Sequence, residues 1–361
     1  MDNSLWSKLP EGTLELVFAR LPLKDIMRLR VLNKHWNSFI YSSVFQQVFE
    51  EVSSARFGIV TKAFSGTELP SYAMFHILDT LANTWFQFSN SSFPLNVNPI
   101  ATAGGLVCMY AVPGCHSKAS GQVFVCNPIT NSCKELPIHH MPGYPVLARM
   151  EIDKPTRRYR IILMCKLQDE LSFEVYDSAT NCWSIVDTNP TLERKIYKSF
   201  SVSQYKGLAK SDSEHRALCG LPRPDPTYGE AGLFWREVLN ESSHTPGLAY
   251  AWGWGAPGSK GSIWELQTSG FQWKKVASVP EWLEEVDVFE EPNLFVSNGV
   301  IVLSERGGDS YSYEPYGYRV SLFEMSKQTW KEAPTLFLPF CGVEKELAEE
   351  FAFEIKWDAI P

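Results

Sequence analysis

With 361 residues, 44% of them hydrophobic and 20% charged, the chain has material for one large domain or a large domain plus a small one, and it is neither disordered nor fibrous. Its 13% aromatic content stands beside 23 Gly and 23 Pro, a pairing that suits many short strands better than long helices. The net charge of -8 is local, being +1 over residues 1–50, +2 over 51–280 and -11 over 281–361; this leaves no basic footprint for nucleic acid, and no run approaches the ~18–20 apolar residues of a bilayer span.

The first ten residues hold Asp2 and Lys8 and no apolar stretch of the signal-peptide kind, so an intracellular protein of the nucleus or cytoplasm is expected. Residues 5–49 then read as a cluster of short helices. Leu14, Val17, Phe18 and Leu21 form one apolar stripe at helical spacing; Leu23, Ile26, Met27 and Arg30 form a second, with Pro22 preset for a first turn; Leu32, His35, Trp36, Phe39 and Ile40 form a third. A cluster this small struggles to bury a core alone, and it carries no staple. Apolar residues also fall off the stripes, at Leu9, Leu16, Val31 and Val44. Either the head packs on the rest of its own chain, or it offers a helical surface to another protein.

The run that opens with Leu9-Pro10, continues through Arg20-Leu21-Pro22 and the aliphatic stretch after Ile26, and ends with Lys34-His35-Trp36 and Phe45 resembles an F-box. The agreement covers the whole motif in order and spacing, with Asn33 standing where the family usually has Cys, a position expected to serve the head's own packing. The resemblance implies docking on a Skp-type adaptor and, through it, on a cullin and a RING ubiquitin ligase. Carried over by position, Leu9, Pro10, Leu16, Leu21, Pro22 and Ile26 would contact the adaptor. Val17 and Trp36 read instead as core of the helical cluster.

From residue 55 to 361 a pattern recurs: an apolar strand ending in an acidic or amide residue, a turn, then Trp or Cys six positions later, often followed by Pro. It occurs around Asp79 and Trp85, Asn127 and Cys133, Asp177 and Trp183, Glu324 and Trp330, with a looser copy from Glu265 to Trp273. The anchors at 85, 133, 183, 273 and 330 are 48, 50, 90 and 57 residues apart, and the gap of 90 is nearly two units. A sixth, degenerate copy is therefore expected between 188 and 250, with Trp235 as its anchor. Each unit is a strand, a tight turn and a second strand whose aromatic packs on the neighbouring unit; such units must stack or close into a ring. Closure needs the two ends to meet in one unit, and Phe351 to Trp357 alternates like an edge strand that could pair with Arg56 to Phe64, although Glu346 to Phe353 could also continue a helix.

A period near 50 with this signature resembles the kelch repeat, whose units are blades of a β-propeller. Head and repeats together are similar to the plant F-box/kelch-repeat proteins, the group that includes HAWAIIAN SKIRT and UNUSUAL FLORAL ORGANS. The resemblance implies a mainly β fold, a six-bladed kelch-type propeller preceded by a small all-α F-box.

Eight scattered cysteines without a C-x-x-C read as reduced, buried small hydrophobes, not as a disulfide or zinc framework. Gly253-Trp-Gly255-Ala-Pro-Gly258 has dinucleotide-like spacing but leads into a strand where a phosphate site needs a helix. No hydrolase, Walker or zinc-protease motif occurs, and the adjacent His139 and His140 would point apart on a strand, so no catalytic residue, metal or cofactor is expected. Two aromatic clusters amid Gly and Pro stand out as target-binding candidates, Tyr250, Trp252 and Trp254, and Tyr311, Tyr313, Tyr316 and Tyr318, with ordinary hairpin tips and core aromatics as the alternative. The acidic stretch from Glu281 to Glu291 could steer a basic partner or simply be solvated. The expectation is a non-catalytic substrate-recognition subunit that binds a Skp-type adaptor with its head and a target protein with its propeller, without nucleic acid or membrane. A non-degradative adaptor is the alternative, and a propeller enzyme or sugar binder a third.

Overall fold

The computed structural model describes residues 10–52, 57–63, 72–80, 82–88, 93–94, 97–111, 121–141, 145–153, 155–167, 170–186, 235–239, 249–253, 261–266, 273–280, 293–297, 299–307, 317–337 and 351–361. It opens with four short helices: α1 Glu11–Ala19, α2 Leu23–Leu32, α3 Lys34–Ile40 and α4 Ser43–Val52. Pro10 and Pro22 precede α1 and α2, where a fixed φ helps the chain enter a helix and a missing N–H costs nothing. Asn33 caps α3, its Oδ1 accepting the Trp36 N–H at 3.0 Å. Being exposed, it is a helix cap and not the packing residue the sequence suggested.

The remaining described elements are strands in antiparallel sheets. The first sheet contains β1 Phe57–Ala63, β2 Tyr72–Asp79 and β3 Thr84–Phe88. The second is β4 Val97–Ala103, β5 Leu106–Ala111, β6 Gln122–Asn127 and β7 Ser132–Glu135. The third is β8 Pro145–Asp153, β9 Arg158–Leu167, β10 Glu170–Asp177 and β11 Cys182–Val186. The fourth is β12 Trp235–Leu239, β13 Ala249–Gly253, β14 Ser262–Leu266 and β15 Trp273–Ser278. The fifth is β16 Asn293–Ser297, β17 Val300–Gly307, β18 Gly317–Glu324 and β19 Thr329–Glu332, with β20 Leu336–Phe337 also on β18. Then β21 Phe351–Glu354 returns to complete the first sheet, pairing Phe57 to Val60 of β1. The closure expected from the alternating C-terminal segment is therefore made by strand pairing.

The recurring signature has a consistent place: Trp85, Cys133, Trp183, Trp273 and Trp330 all lie on the fourth strand of their sheets. In four of them the residue two before the anchor, Asn83, Asn131, Asn181 or Gln328, has φ between 50° and 61°, the left-handed turn conformation that Asn tolerates best among residues with a side chain. Asn127 and Asp177 fold their side chains over the turn, accepting the N–H of Ile129 at 2.9 Å and Ala179 at 2.8 Å.

The anchors then bolt neighbouring sheets. The Trp183 indole donates to the Pro137 carbonyl at 2.7 Å, Trp330 to Ser278 at 3.0 Å and Trp85 to Pro334 at 2.6 Å. Each acceptor lies at or just past the fourth strand of the preceding sheet, and in two of the three it is the Pro of the repeat signature, Pro137 or Pro334. The Trp85 bond joins the first sheet to the fifth. Apolar clusters couple the second sheet to the third, the fourth to the fifth and the fifth to the first. The arrangement is propeller-like.

Two expectations are corrected. Trp235 begins β12, the first strand of the sheet that ends at Trp273, and so anchors no unit of its own. Five sheets are described; residues 187–234, between the third and fourth, lie outside the described residues. The cysteines are also not all reduced: Cys126 and Cys133 face each other across β6 and β7 and form a disulfide, while Cys108 and Cys165 are buried thiols and Cys182 is exposed.

Candidate functional site

The head has two unlike faces. Its inner face shares one core with the first and second sheets: Phe18, Leu23, Ile26, Ile40, Phe45 and Phe49 join Phe75, Ile77, Val107, Phe353 and Trp357. Polar pins then fix the angle. Asp79, the last residue of β2 before the turn into β3, accepts the Leu23 N–H at 2.6 Å and so caps α2, whose own N-cap is a proline without a side-chain acceptor. Arg30 donates to the Ile129 carbonyl in the corresponding turn of the second sheet at 2.7 Å and to the Tyr41 hydroxyl at 2.7 Å.

Residues 355–361, after β21, form a strap beneath the head. Trp357 is 3% exposed and edge-on to Tyr41 and Phe49, with the Arg30 guanidinium 5.3 Å from its ring centre. Lys356 reaches Glu50 at 2.9 Å; burial pulls its ammonium down, but Glu354, Glu50 and Asp358 outweigh that and hold it above its usual range. On the other side Asn127 donates to the carbonyls of Lys356 at 3.0 Å and Ala359 at 2.8 Å. Gly105, at φ +84°, lets the strap pass: a Cβ there would lie 2.7 Å from Cβ of Lys356.

The outer face is bare. Leu16 is 43% exposed, Val31 83%, Leu32 65% and Val44 54%. Single exposed apolar residues are ordinary; here four on a small head are left uncovered by their own chain.

Against the residues carried over from the F-box resemblance, the placement divides. Pro10 and Leu16 are exposed, Leu21 and Pro22 half-buried, and Leu9 lies outside the described residues. Ile26 is fully buried in the core shared with the sheets and has no surface to offer. Its stripe faces the ring, which position in the motif alone does not reveal. Trp36 is core-like, 4.9 Å edge-on to Phe18, whereas Val17, read as core, is 38% exposed.

The target-binding candidates are only partly in view. Tyr250 and Trp252 are on β13 and Tyr318 on β18, whereas Trp254, Tyr311, Tyr313 and Tyr316 lie outside the described residues, as does the acidic stretch 281–291. The glycine-rich spacing starting at Gly253 runs from β13 to β14, strand to strand, as its composition suggested. His139 and His140 are not on a strand. They follow β7, and both turn to the buried Glu174 carboxylate, His140 Nδ1 at 2.5 Å and His139 Nδ1 at 3.5 Å, with the His140 N–H donating at 2.8 Å. Burial holds the His139 imidazole below its usual range despite Glu174. This clasp ties the connection to β10; among the described residues no group of three His, Cys, Asp or Glu could hold a metal.

Residues 6–47 match the F-box domain. The chain is 26% identical over 200 residues to F-box only protein 6 of Arabidopsis thaliana, covering 53% of this chain and 39% of that one. It is 29% identical over 153 residues to SKP1-interacting partner 15 of the same plant, 38% of this chain and 39% of that one. To Protein UNUSUAL FLORAL ORGANS, also of Arabidopsis thaliana, it is 27% identical over 153 residues, 38% of this chain and 33% of the other. F-box/kelch-repeat proteins of that plant match as well. The matched stretch thus spans well under two thirds of these relatives' lengths.

Proposed function

From the F-box match and the likeness to plant F-box proteins, we propose that the chain is the substrate-recognition subunit of an SCF-type ubiquitin ligase. The head takes a Skp-type adaptor on its outer face, the adaptor brings cullin and RING subunits, and the ring takes the target. The observation that carries this reading is the F-box match on a head that leaves Leu16, Val17, Val31 and Leu32 uncovered after its own chain has seated it. The relative called SKP1-interacting partner supports it. The chain's own contribution is proximity: a seated head and a bound target hold target lysines near the conjugating enzyme, which raises their effective concentration.

In this reading the ring has six blades of the kelch type, with residues 187–234 as the sixth. That segment has 48 residues, close to one unit, and it separates sheets that belong to successive repeats. The target binds at the end of the ring away from the head. Antiparallel order supports this: the head sits on third-to-fourth-strand turns, whereas the strands that bracket residues 254–260, 308–316 and 281–292 end on the opposite side. Aromatic anchors in an acidic surround suit a basic protein segment.

The test is co-purification of the full chain with a Skp-type adaptor. Replacing both Leu9 and Pro10 with Ala is expected to abolish the complex, and unchanged binding would overturn the site assignment. Proximity labelling with and without proteasome inhibition then separates outcomes: neighbours that accumulate only under inhibition are degraded targets, and steady neighbours point to a scaffold.

A further inference from the structure

Of the five described sheets, the second departs from the repeat at two positions that face each other. In the others the fourth-strand anchor is Trp, and an apolar residue lies opposite it: Leu78 beside Trp85, Tyr176 beside Trp183, Leu266 beside Trp273 and Phe323 beside Trp330. In the second sheet both places hold Cys, with Cys126 on β6 joined to Cys133 on β7. One small residue would be enough to dispense with the indole; a matched pair across the ladder is what a disulfide needs.

The pair sits where the head is seated. With Cys133 in the anchor's place the second sheet has no indole to bolt it to the first, and the core of the head fills that seam, meeting Phe75 and Ile77 of the first sheet and Val107, Met109 and Cys126 of the second. Residues 127–132, which the disulfide closes into a short loop, make the contacts that fix head and strap. The Ile129 carbonyl takes Arg30 at 2.7 Å, and the Asn127 side chain donates to the carbonyls of Lys356 and Ala359 at 3.0 and 2.8 Å. Access to the pair is unequal, Cys126 being fully buried and Cys133 only half-buried. The other described cysteines differ: burial pushes the Cys108 and Cys165 thiols up, away from the reactive thiolate, and the exposed Cys182 is bonded to no second cysteine.

We propose that Cys126 and Cys133 form a reversible dithiol–disulfide site whose co-substrate is a small disulfide of the glutathione class, and that closing it tightens the seat of the head. In the forward direction the Cys133 thiolate attacks glutathione disulfide, forming a mixed disulfide and expelling one glutathione thiolate. The Cys126 thiolate then attacks the Cys133 sulfur and expels the second. The two protein thiols give up two protons and two electrons, and the glutathione disulfide is reduced to two glutathiones; an excess of glutathione runs the same steps backwards. Closing the loop removes freedom from the turn that holds Arg30 and the strap, so the oxidised chain keeps its head more firmly than the reduced one. The site faces the ring side of the head, so it does not depend on what covers the outer face.

The test equilibrates the full chain in glutathione buffers of stepped oxidised-to-reduced ratio, blocks free thiols by alkylation and maps the linkages by mass spectrometry, with hydrogen exchange followed on the same samples. One transition is expected, linking Cys126 to Cys133 and leaving Cys108 and Cys165 free, with any trapped mixed disulfide on Cys133. On oxidation, exchange in residues 127–132 and in the strap 355–361 is expected to slow about tenfold. Cys133→Ser, at a half-buried position, is expected to keep the fold and lose both the linkage and the change in exchange. Cys126→Val fills the buried position with an apolar side chain and is expected to lose them as well, whereas Cys182→Ser is expected to keep both. A pair that stays oxidised at every ratio is a structural staple, and one that never oxidises is two ordinary thiols; either result would overturn the proposal. So would a linkage of Cys126 or Cys133 to any other cysteine, or a linkage that forms while exchange in the turn and strap stays the same. No adaptor enters the experiment, so its failure and the failure of the adaptor reading are distinguishable.

Discussion

The inner and outer faces of the head are built from the same helices and the same kinds of residue, yet they behave oppositely. On the inner face the buried apolar residues of the head meet those of the ring, and several of the polar groups that accompany them are paired: Asp79 caps α2, Arg30 finds Ile129, and Lys356 finds Glu50. On the outer face Leu16, Val31, Leu32 and Val44 are left to water. A helical cluster too small to hold itself has used its own ring as half of its core. Of the two alternatives left open by the sequence, packing on the rest of the chain is the one the structure realises, and the exposed apolar residues are what the proposed adaptor would cover.

That contrast breaks most visibly at Trp357. Removing a nearly buried indole that touches Tyr41, Phe49 and Arg30 is expected to destabilise the protein by about 3–5 kcal/mol, read as a lower midpoint in guanidinium unfolding. A substitution on the outer face should do nothing comparable.

Acid is the next probe. Burial lowers the His76 pKa to about 4 from 6.5, so the fold keeps it neutral while the unfolded chain takes up a proton. The stability it protects is complete above about pH 6.5 and falls as the pH drops toward 4, by up to about 3 kcal/mol. Replacing His76 with Gln is expected to flatten that part of the pH–stability curve, and an unchanged slope would contradict the assignment.

The bolts between sheets give a smaller effect. Trp183→Phe keeps most of the ring's bulk but loses the bond to the Pro137 carbonyl, and about 1–2 kcal/mol of stability is expected to go with it. At the small end, Leu16→Asp and Val31→Asp are expected to change stability by no more than about 0.5 kcal/mol while lowering adaptor affinity at least tenfold in a titration.

Much of this was legible in the residues. The turn signature carried the repeat because a left-handed Asn and an indole with a fixed acceptor leave little freedom of spacing, and the alternation from Phe351 to Trp357 offered the closing strand beside a helical alternative, of which the structure takes the strand over Phe351–Glu354. Cys126 and Cys133 could have been paired from the same signature: the register that sets Leu78 opposite Trp85 and Tyr176 opposite Trp183 also sets them opposite each other. Trp235 misled because a Trp one period on has the right spacing whichever strand holds it, and only strand pairing tells the first strand from the fourth. Ile26 misled for a different reason. A motif transferred by position records what a head does with its partner, but it does not record that this ring competes for the same stripe.

The central claim is that an adaptor takes the outer face while the inner face stays on the ring. Hydrogen exchange on the full chain, with and without a Skp-type adaptor, tests it most directly. The account predicts new protection across α1 and from Val31 to Val44, with residues 351–361 and the Asp79 turn unchanged. Protection gained at the strap, or exchange that speeds up there as the adaptor binds, would mean that the adaptor takes the head off its seat, and would contradict it.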